Sequence, residues 1–335
     1  MITSWTTTDK GLCKSQAEGQ ALHPAAAWID VVEITPEESK LLESTFHLDM
    51  PTKAEMQEIE ASSRLYRDGH VVYMTATMLT KTETPSPLTT AVTFIFSRER
   101  LITLRYDEPW TFRVFPQRAP KSGATSAELA FVCILETTVE RLADMLEIVS
   151  VELENLSSKV FRHHGPREEV EPDLQRALIN IGRAGHILSK VRESLVDKGR
   201  MVTFARQATE DWMGPESKAR LAAIQRDIQQ LTDHASFTAN KMQFLLDASI
   251  GFINFEQNRI FKFFSLITVA VAPLNILAGI GGMSEFSRFT IEKYNCPWWL
   301  AYTLFTIAML LIAWFSWWLL SRFGPGGGGW KRKRR

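Results

Sequence analysis

The chain has 335 residues, and its 38 Lys and Arg residues balance its 38 Asp and Glu residues, so the formal net charge is zero. Three scattered cysteines form no CxxC or CxxH pattern, which argues against a disulfide framework and a zinc knuckle. The P-loop, GxGxxG, HExxH and GxSxG patterns do not occur where they could work. We therefore predict that the chain is not an enzyme and has no cofactor.

The first third of the chain has the composition of an α+β domain. Residues 1–25 are polar, aperiodic and without the apolar core of a signal peptide, so we predict a flexible N-terminal tail in the cytoplasm. Thr35, Pro36 and the acids that follow predict a helix over residues 36–46. A second helix is expected at residues 53–61. Four runs have β-strand composition: residues 27–34, 71–79, 90–96 and 101–105.

Residues 26–123 are predicted to form a cytoplasmic α/β domain that ends in a Pro-, Lys- and Gly-containing linker at residues 116–123. Beyond it, apolar residues recur three and four apart, which predicts long helices, the first capped by Ser126. The predicted helices cover about residues 126–161, 172–207 and 216 onward. We interpret residues 124–262 as a helical domain with a stalk helix that continues into a membrane.

Two uncharged segments, residues 263–283 and 298–320, have the length of about 20 residues that crosses a bilayer core. Trp and Tyr residues near both ends of the second segment fit the two membrane interfaces. The basic C-terminal tail, residues 321–335, places the C-terminus in the cytoplasm by the positive-inside rule. The N-terminal domain then lies in the cytoplasm too, and residues 284–297 become an external loop. We expect the tail to contact anionic lipid rather than nucleic acid.

A protomer with two spans cannot enclose a pore, so conduction requires several copies around an axis. Small and polar residues recur along the first span and the helix before it, at spacings of three, four or seven: Asn258, Ser265, Thr268, Ala272, Asn275 and Gly279. The amide and hydroxyl oxygens of the Asn, Ser and Thr residues among them suit Mg²⁺, an ion that gives up its water shell reluctantly. In the alternative interpretation, Ser265 and Thr268 mediate helix packing and the glycines allow close approach.

The run PLNILAGIGGMS, residues 273–284, resembles the end of the first transmembrane helix of CorA-type magnesium transporters. That family carries P-L-x-x-(I/L)-A-G-(I/V)-(Y/F)-G-M-N at this place. The α/β domain, the stalk helix, the two C-terminal transmembrane helices and the basic tail are also similar to the family. The resemblance implies a funnel-shaped homopentamer in the bacterial inner membrane, with the first span lining a gated pore. It implies Mg²⁺ as the substrate, with Co²⁺ and Ni²⁺ as further candidates, moved by the electrochemical gradient.

Carried over residue by residue, the resemblance assigns the selectivity loop to Gly282, Met283 and Ser284. The family has Asn at the position of Ser284 and an aromatic residue at that of Gly281. That Asn is understood to hold the first water shell of the entering ion. Serine has one hydroxyl on a shorter arm, so the entrance must be wider or bind water differently.

The resemblance also gives roles to positions deeper along the same helix. Asn275 matches a polar ring of the pore, and Ala272 matches an apolar constriction. Asn258 matches an Asn at the cytoplasmic end of the pore, and Phe264 occupies the position of an apolar gate. Ser265, Thr268 and Gly279 are expected to line the path between them.

Asp247 aligns with an acid that binds a regulatory ion between neighbouring cytoplasmic domains, and Glu55 or Glu58 is its expected partner. Glu285 and Glu292 could concentrate cations at the pore mouth, although two basic residues in the same loop oppose this effect. Two other functions stay open. One is a ZntB-like zinc transporter, a branch that also departs from Gly-Met-Asn, but at the Met position rather than at the Asn. The other is a non-conducting CorA-like membrane scaffold or sensor.

Overall fold

The fold comes from a computed structural model, which describes residues 1–15, 22–23, 25–58, 60–84, 86–161, 170–281, 288 and 297–323. The chain divides into two compact units, Met1–Asp247 and Ala248–Arg335. The first unit combines a β-sheet with helices. In the second unit the described elements are helical.

A mixed sheet of seven strands, counted over the described residues, forms the centre of the first unit. The strands are β1 (Ile2–Thr8), β2 (Gly11–Lys14), β3 (Ala26–Val32), β4 (Leu65–Asp68), β5 (Val71–Thr80), β6 (Leu88–Phe96) and β7 (Leu101–Arg105). Their order is β2-β1-β3-β7-β6-β5-β4, and only the β3–β7 pair is parallel. All four predicted strands are present, with ends that shift by up to two residues.

The prediction of a flexible N-terminal tail is wrong for β1 and β2, which extend one edge of the sheet. Trp5 stacks on Trp28 of β3 with 5.2 Å between the ring centroids, and Leu12 is fully buried. At Gly11 an added Cβ atom would lie 2.1 Å from the carbonyl oxygen of Ala119, so the close approach requires glycine. These strands were not predicted because β1 is stabilised by its pairing with β3, an element that follows later in the chain, and β2 by its pairing with β1.

The helices of the described residues are α1 (Pro36–Phe46), α2 (Lys53–Met56), α3 (Ala61–Arg64), α4 (Trp110–Arg118), α5 (Ala127–Phe161), α6 (Val170–Ala208), α7 (Pro215–Gly281) and α8 (Trp298–Phe323). The start of α1 is a capping box: Glu38 N–H donates to Thr35 Oγ1 at 3.2 Å, and Thr35 N–H donates to the Glu38 carboxylate at 3.0 Å. Ser126 caps α5, as predicted, by accepting the Leu129 N–H at 3.2 Å. The helix predicted at residues 53–61 is shorter and ends at Met56.

Helices cover both faces of the sheet, because successive side chains of each strand point to opposite sides. On one face, Leu42 of α1 is buried in the same cluster as Ile29 of β3. On the other face, Phe131 of α5 packs on Phe94 and Phe96 of β6, with ring centroids 5.6 and 4.9 Å away. The core of the first unit therefore consists of two apolar layers, one on each face of the sheet.

Helix α4 occupies the region where the sequence predicted the beginning of a linker. Phe112 and Phe115 of α4 are buried against Trp28, with ring centroids 6.4 and 5.3 Å away. Pro116 lies inside this helix and removes one backbone donor. Burial of the two phenylalanines stabilises the helix, although the Pro, Lys and Gly residues at its end indicate a linker. The irregular connection to α5 is therefore shorter than predicted.

Helix α7 is one unbroken helix of 67 residues, and it begins one residue before the predicted start of the stalk. The first predicted span is helical as far as α7 extends, to Gly281, and the second lies within α8. Helix α8 continues to Phe323, three residues into the predicted tail. When only the described residues are considered, no helix is both long enough and apolar enough to cross a membrane.

Candidate functional site

The residues predicted to line a pore lie on one side of α7. We call them the polar stripe: Asn258, Ser265, Thr268, Ala272, Asn275 and Gly279. An α-helix turns about 100° per residue, so these spacings place all six within an arc of roughly 100°. In the single chain Ala272 is half-buried and the other five residues are exposed. The stripe is therefore a largely small and polar face that is open to another surface or to water.

The hydroxyl group of Thr268 is oriented by the backbone of its own helix. Thr268 Oγ1 donates to the carbonyl oxygen of Phe264, one turn earlier, at 2.9 Å. This bond holds the hydroxyl proton on the helix backbone and leaves the oxygen lone pairs as acceptors. Asn275, seven residues later, adds an amide oxygen on the same face. Neutral oxygens of this kind can accept hydrogen bonds from the water shell of Mg²⁺.

Two phenylalanines lie beside or within the stripe. Phe264, the predicted gate, lies at its margin and is 60% exposed. Phe261 is 68% exposed and lies three residues after Asn258 and four before Ser265, so it falls within the stripe. Phe261 was not predicted because it is neither small nor polar, although its spacing alone places it in the stripe. Phe261 is the bulkiest residue of this face between Asn258 and Gly279.

The predicted regulatory acids have different local surroundings. Asp247 is exposed, and its Oδ1 atom accepts a hydrogen bond from Gln243 Nε2 at 3.0 Å. Glu55 closes the capping box of α2, where its carboxylate accepts the Thr52 N–H at 2.7 Å. Glu58 borders a polar cavity of about 420 Å³. Among the residues that the structure describes, no three His, Cys, Asp or Glu side chains form a group that could hold a metal ion.

The remaining predicted site residues lie outside the described part of the chain, so their roles stay predictions. They are the selectivity-loop residues and the external acids: Gly282, Met283, Ser284, Glu285 and Glu292. A pairing of Asp247 with Glu55 of a neighbouring copy likewise stays a prediction.

Charged side chains fix the first part of α7 to α5. Arg220 donates to the Glu136 carboxylate from Nε at 2.9 Å and from Nη2 at 2.6 Å, and Nη2 also lies 3.2 Å from Cys133 Sγ. The hydrogen bonds to Glu136 raise the pKa of Arg220 above its ordinary value. Further along the helix, Lys241 pairs with Glu154 of α5. These contacts anchor the predicted stalk to the helical domain.

Comparison with known proteins covers nearly the whole chain. The family model described as CorA-like Mg²⁺ transporter protein matches residues 25–322. The magnesium transport protein CorA of Mannheimia succiniciproducens is 30% identical over 300 residues, which cover 89% of this chain and 93% of that protein. The protein of the same name from Escherichia coli strain K12 is 30% identical over 286 residues, which cover 85% of this chain and 88% of that protein.

Solved structures share the fold at lower identity. The CorA magnesium transporter of Methanocaldococcus jannaschii has a TM-score of 0.73 at 16% identity, with 97% of this chain and 98% of that chain covered. The cytoplasmic domain of ZntB from Vibrio parahaemolyticus has a TM-score of 0.58 at 11% identity, with 76% and 98% covered. The matched family consists of transporters and not of enzymes. The chain therefore belongs to the family of CorA-like Mg²⁺ transporter proteins.

Proposed function

We propose that this protein conducts divalent cations, Mg²⁺ first among them, across the bacterial inner membrane through a gated pore built by five copies. The observation that carries the proposal is the polar stripe, a small and polar face along α7 in a chain of this family. The relatives at 30% identity are named magnesium transport proteins, which supports Mg²⁺ as the substrate. In the proposed homopentamer the five stripes face a common axis.

The proposal requires residues 263–283 and 298–320 to cross the membrane, with both termini in the cytoplasm. Neither segment contains Asp, Glu, Lys or Arg, and the chain ends in five consecutive basic residues. Amide and hydroxyl groups at membrane depth are costly against lipid, so they face other helices or water. A lipid-facing stripe would leave the Asn275 amide without partners, whereas a pore-facing stripe hydrates it.

The chemistry of the stripe suits an ion that keeps most of its water. Mg²⁺ dehydrates reluctantly, and neutral oxygens that contact its water shell let it pass without removal of the whole shell. Thr268 and Asn275 supply such oxygens, and Ala272 between them supplies none. Phe261 and Phe264 are the bulky residues that can close the path nearer to Asn258. Ser284 stands at the proposed entrance, and Asp247 with Glu55 of a neighbouring copy binds a regulatory ion.

Ion flux into liposomes tests the proposal. Purified protein is reconstituted into vesicles that contain a Mg²⁺-sensitive dye, and Mg²⁺, Co²⁺, Ni²⁺ and Zn²⁺ are added in turn. We expect Mg²⁺ uptake that hexaammine-cobalt, a mimic of the hydrated ion, blocks. Uptake of Zn²⁺ without uptake of Mg²⁺ would instead identify a zinc transporter. Vesicles that stay sealed to every ion would identify a non-conducting scaffold or sensor.

A further inference from the structure

A cavity of about 680 Å³ lies at the end of the sheet where two hairpin turns come side by side. One turn joins β4 to β5 and the other joins β6 to β7; the pairing of Val72 with Phe96 keeps them adjacent. The end of α1 and the loop between α6 and α7 complete the walls. The whole cavity belongs to the first unit, and it includes no residue of the polar stripe and neither Asp247 nor Glu55.

Basic side chains dominate the charge of this cavity. Three arginines line it, Arg67, Arg98 and Arg100, together with His70. The acids of the wall are Glu99 and Asp211. The side chain of Glu99 is 80% exposed, and that of Arg100, 3.6 Å away, is only 18% exposed. Glu99 therefore projects into solvent, while the Arg100 guanidinium stays at the cavity.

The arginines are held in place before any ligand arrives. Arg100 stacks over the ring of Phe46, with the guanidinium carbon 4.0 Å from the ring centroid. Its backbone is fixed by the hairpin turn, where the Ser97 N–H donates to the Arg100 carbonyl oxygen at 3.0 Å. Arg67 Nε donates to the Gly69 carbonyl oxygen at 3.0 Å. Such contacts lower the entropy that binding would otherwise cost.

The floor of the cavity is apolar and partly aromatic. Ile95 and Ile102 are buried there on the sheet face that α1 covers, and the half-buried Trp212 lies at the other face, where it packs edge-on against Phe96 with 4.9 Å between the ring centroids. Ligand sites in proteins commonly combine an apolar lining with a few convergent polar groups. Arginine suits phosphate because its planar fork can donate two parallel hydrogen bonds. An apolar floor below an arginine rim fits a ligand that has both a planar body and phosphate.

We propose that this cavity is a binding site for a small organic phosphate, of which a nucleotide is the form that fits both parts. Arg67, Arg98 and Arg100 hold the phosphate, and the planar body lies against Trp212. The site is separate from the proposed ion path, so the full-length protein binds this ligand whether or not ions flow.

Isothermal titration of the full-length protein in detergent micelles tests the site, with ADP and inorganic phosphate as probes in Mg²⁺-free buffer. We expect ADP to bind more tightly than inorganic phosphate. Arg100→Gln should raise the ADP Kd by about tenfold or more, which is the expected loss for one charge-assisted contact. Arg98→Gln is the second variant, because this exposed turn residue has no ring contact like that of Arg100 and its replacement spares the fold.

Arg118→Gln is the matched control, since Arg118 is an exposed arginine paired with Glu140 and lies outside the cavity. We expect it to bind ADP as the unmodified protein does. Absence of ADP binding tighter than roughly 1 mM would overturn the proposal. So would equal affinity for ADP and inorganic phosphate, or equal ADP affinity in the unmodified protein and both cavity variants. Because no ion flux is measured, this result is independent of the transport proposal.

Discussion

Lys198 of α6 is bound to the backbone of Thr77 in the sheet: its Nζ atom donates to the Thr77 carbonyl oxygen at 2.6 Å. The neighbouring residue Asp197 accepts the Thr77 N–H at 2.5 Å. Strand β4 begins at Leu65, opposite Met74, so this edge of β5 has no strand partner at Thr77. Side chains of α6 take the place of a neighbouring strand and satisfy the exposed backbone groups. The sheet and the long helices are thereby joined by hydrogen bonds as well as by apolar packing.

The burial of Lys198 predicts an unusual dependence of stability on pH. Burial lowers the pKa of Lys198 from its ordinary value of 10.5 to about 8, despite the nearby Asp197. Between these two pH values the unfolded chain binds more protons than the folded chain, so stability rises with pH. A shift of this size corresponds to a change of about 3 kcal/mol in the free energy of unfolding. Lys198→Met should remove this rise, which thermal unfolding between pH 7.5 and 10.5 would measure.

Lys190→Met is the control for Lys198→Met, because Lys190 lies on the same helix and its ammonium group, only partly buried, pairs with Glu193 at 3.5 Å. It should leave the pH dependence of unfolding unchanged. The lost hydrogen bonds to Thr77 and Ser194 lower the stability of Lys198→Met by an amount that does not vary over this pH range. A pH dependence identical in the unmodified protein and Lys198→Met would contradict the prediction.

Asn275→Leu tests the polar stripe. A leucine side chain has no acceptor for the water shell of the ion and is as large as the amide it replaces. We expect flux in liposomes to fall roughly tenfold, the effect of about 1.4 kcal/mol on the barrier. Size-exclusion chromatography should show unchanged assembly. Thr303→Val on α8 is the control, since Thr303 lies off the stripe and its hydroxyl donates to the Leu300 carbonyl oxygen. Unchanged flux in Asn275→Leu would count against a pore-facing stripe.

Asp247→Asn tests the proposed binding of a regulatory ion. The substitution keeps the shape of the side chain and removes the charge that would bind the cation. We expect flux to become less sensitive to Mg²⁺ on the side of the cytoplasmic domain, measured with vesicles loaded with graded Mg²⁺. Asp233→Asn is a close control, because Asp233 accepts a hydrogen bond from Gln229 four residues earlier, as Asp247 does from Gln243. An identical response in Asp247→Asn and Asp233→Asn would exclude a specific role for Asp247.

Cys296 reports the topology of the proposed spans. It lies in the predicted external loop, whereas Cys13 and Cys133 belong to the predicted cytoplasmic part. In a Cys13→Ser, Cys133→Ala background, a membrane-impermeant maleimide should label intact spheroplasts at Cys296. A version that also carries Cys296→Ser should stay unlabelled. Labelling that requires lysis of the cells would show that the loop lies in the cytoplasm and that the proposed orientation is reversed.

Short-range signals were enough to predict the helices and the candidate ion path. The apolar period indicated α5, α6 and α7, and Thr35 with Glu38 indicated the start of α1. The polar stripe needed only residue spacing on a helix, because every member lies on the same element. The run at residues 273–284 carried the resemblance to the family by itself. In each case the informative residues are a few turns apart or less.

Only the tertiary structure revealed the features whose partners are distant along the chain. Residues 2–14 become strands because β3 and Trp28 lie beside them, and Lys198 is buried against Thr77, 121 residues earlier. The basic cavity likewise joins two hairpins, the end of α1 and the loop before α7. Burial and hydrogen bonding of this kind depend on which elements meet in space, and local composition does not indicate which elements these are. The sequence by itself thus determined the long helices and the family, whereas packing decided helix α4, the sheet edge, the buried lysine and the second candidate site.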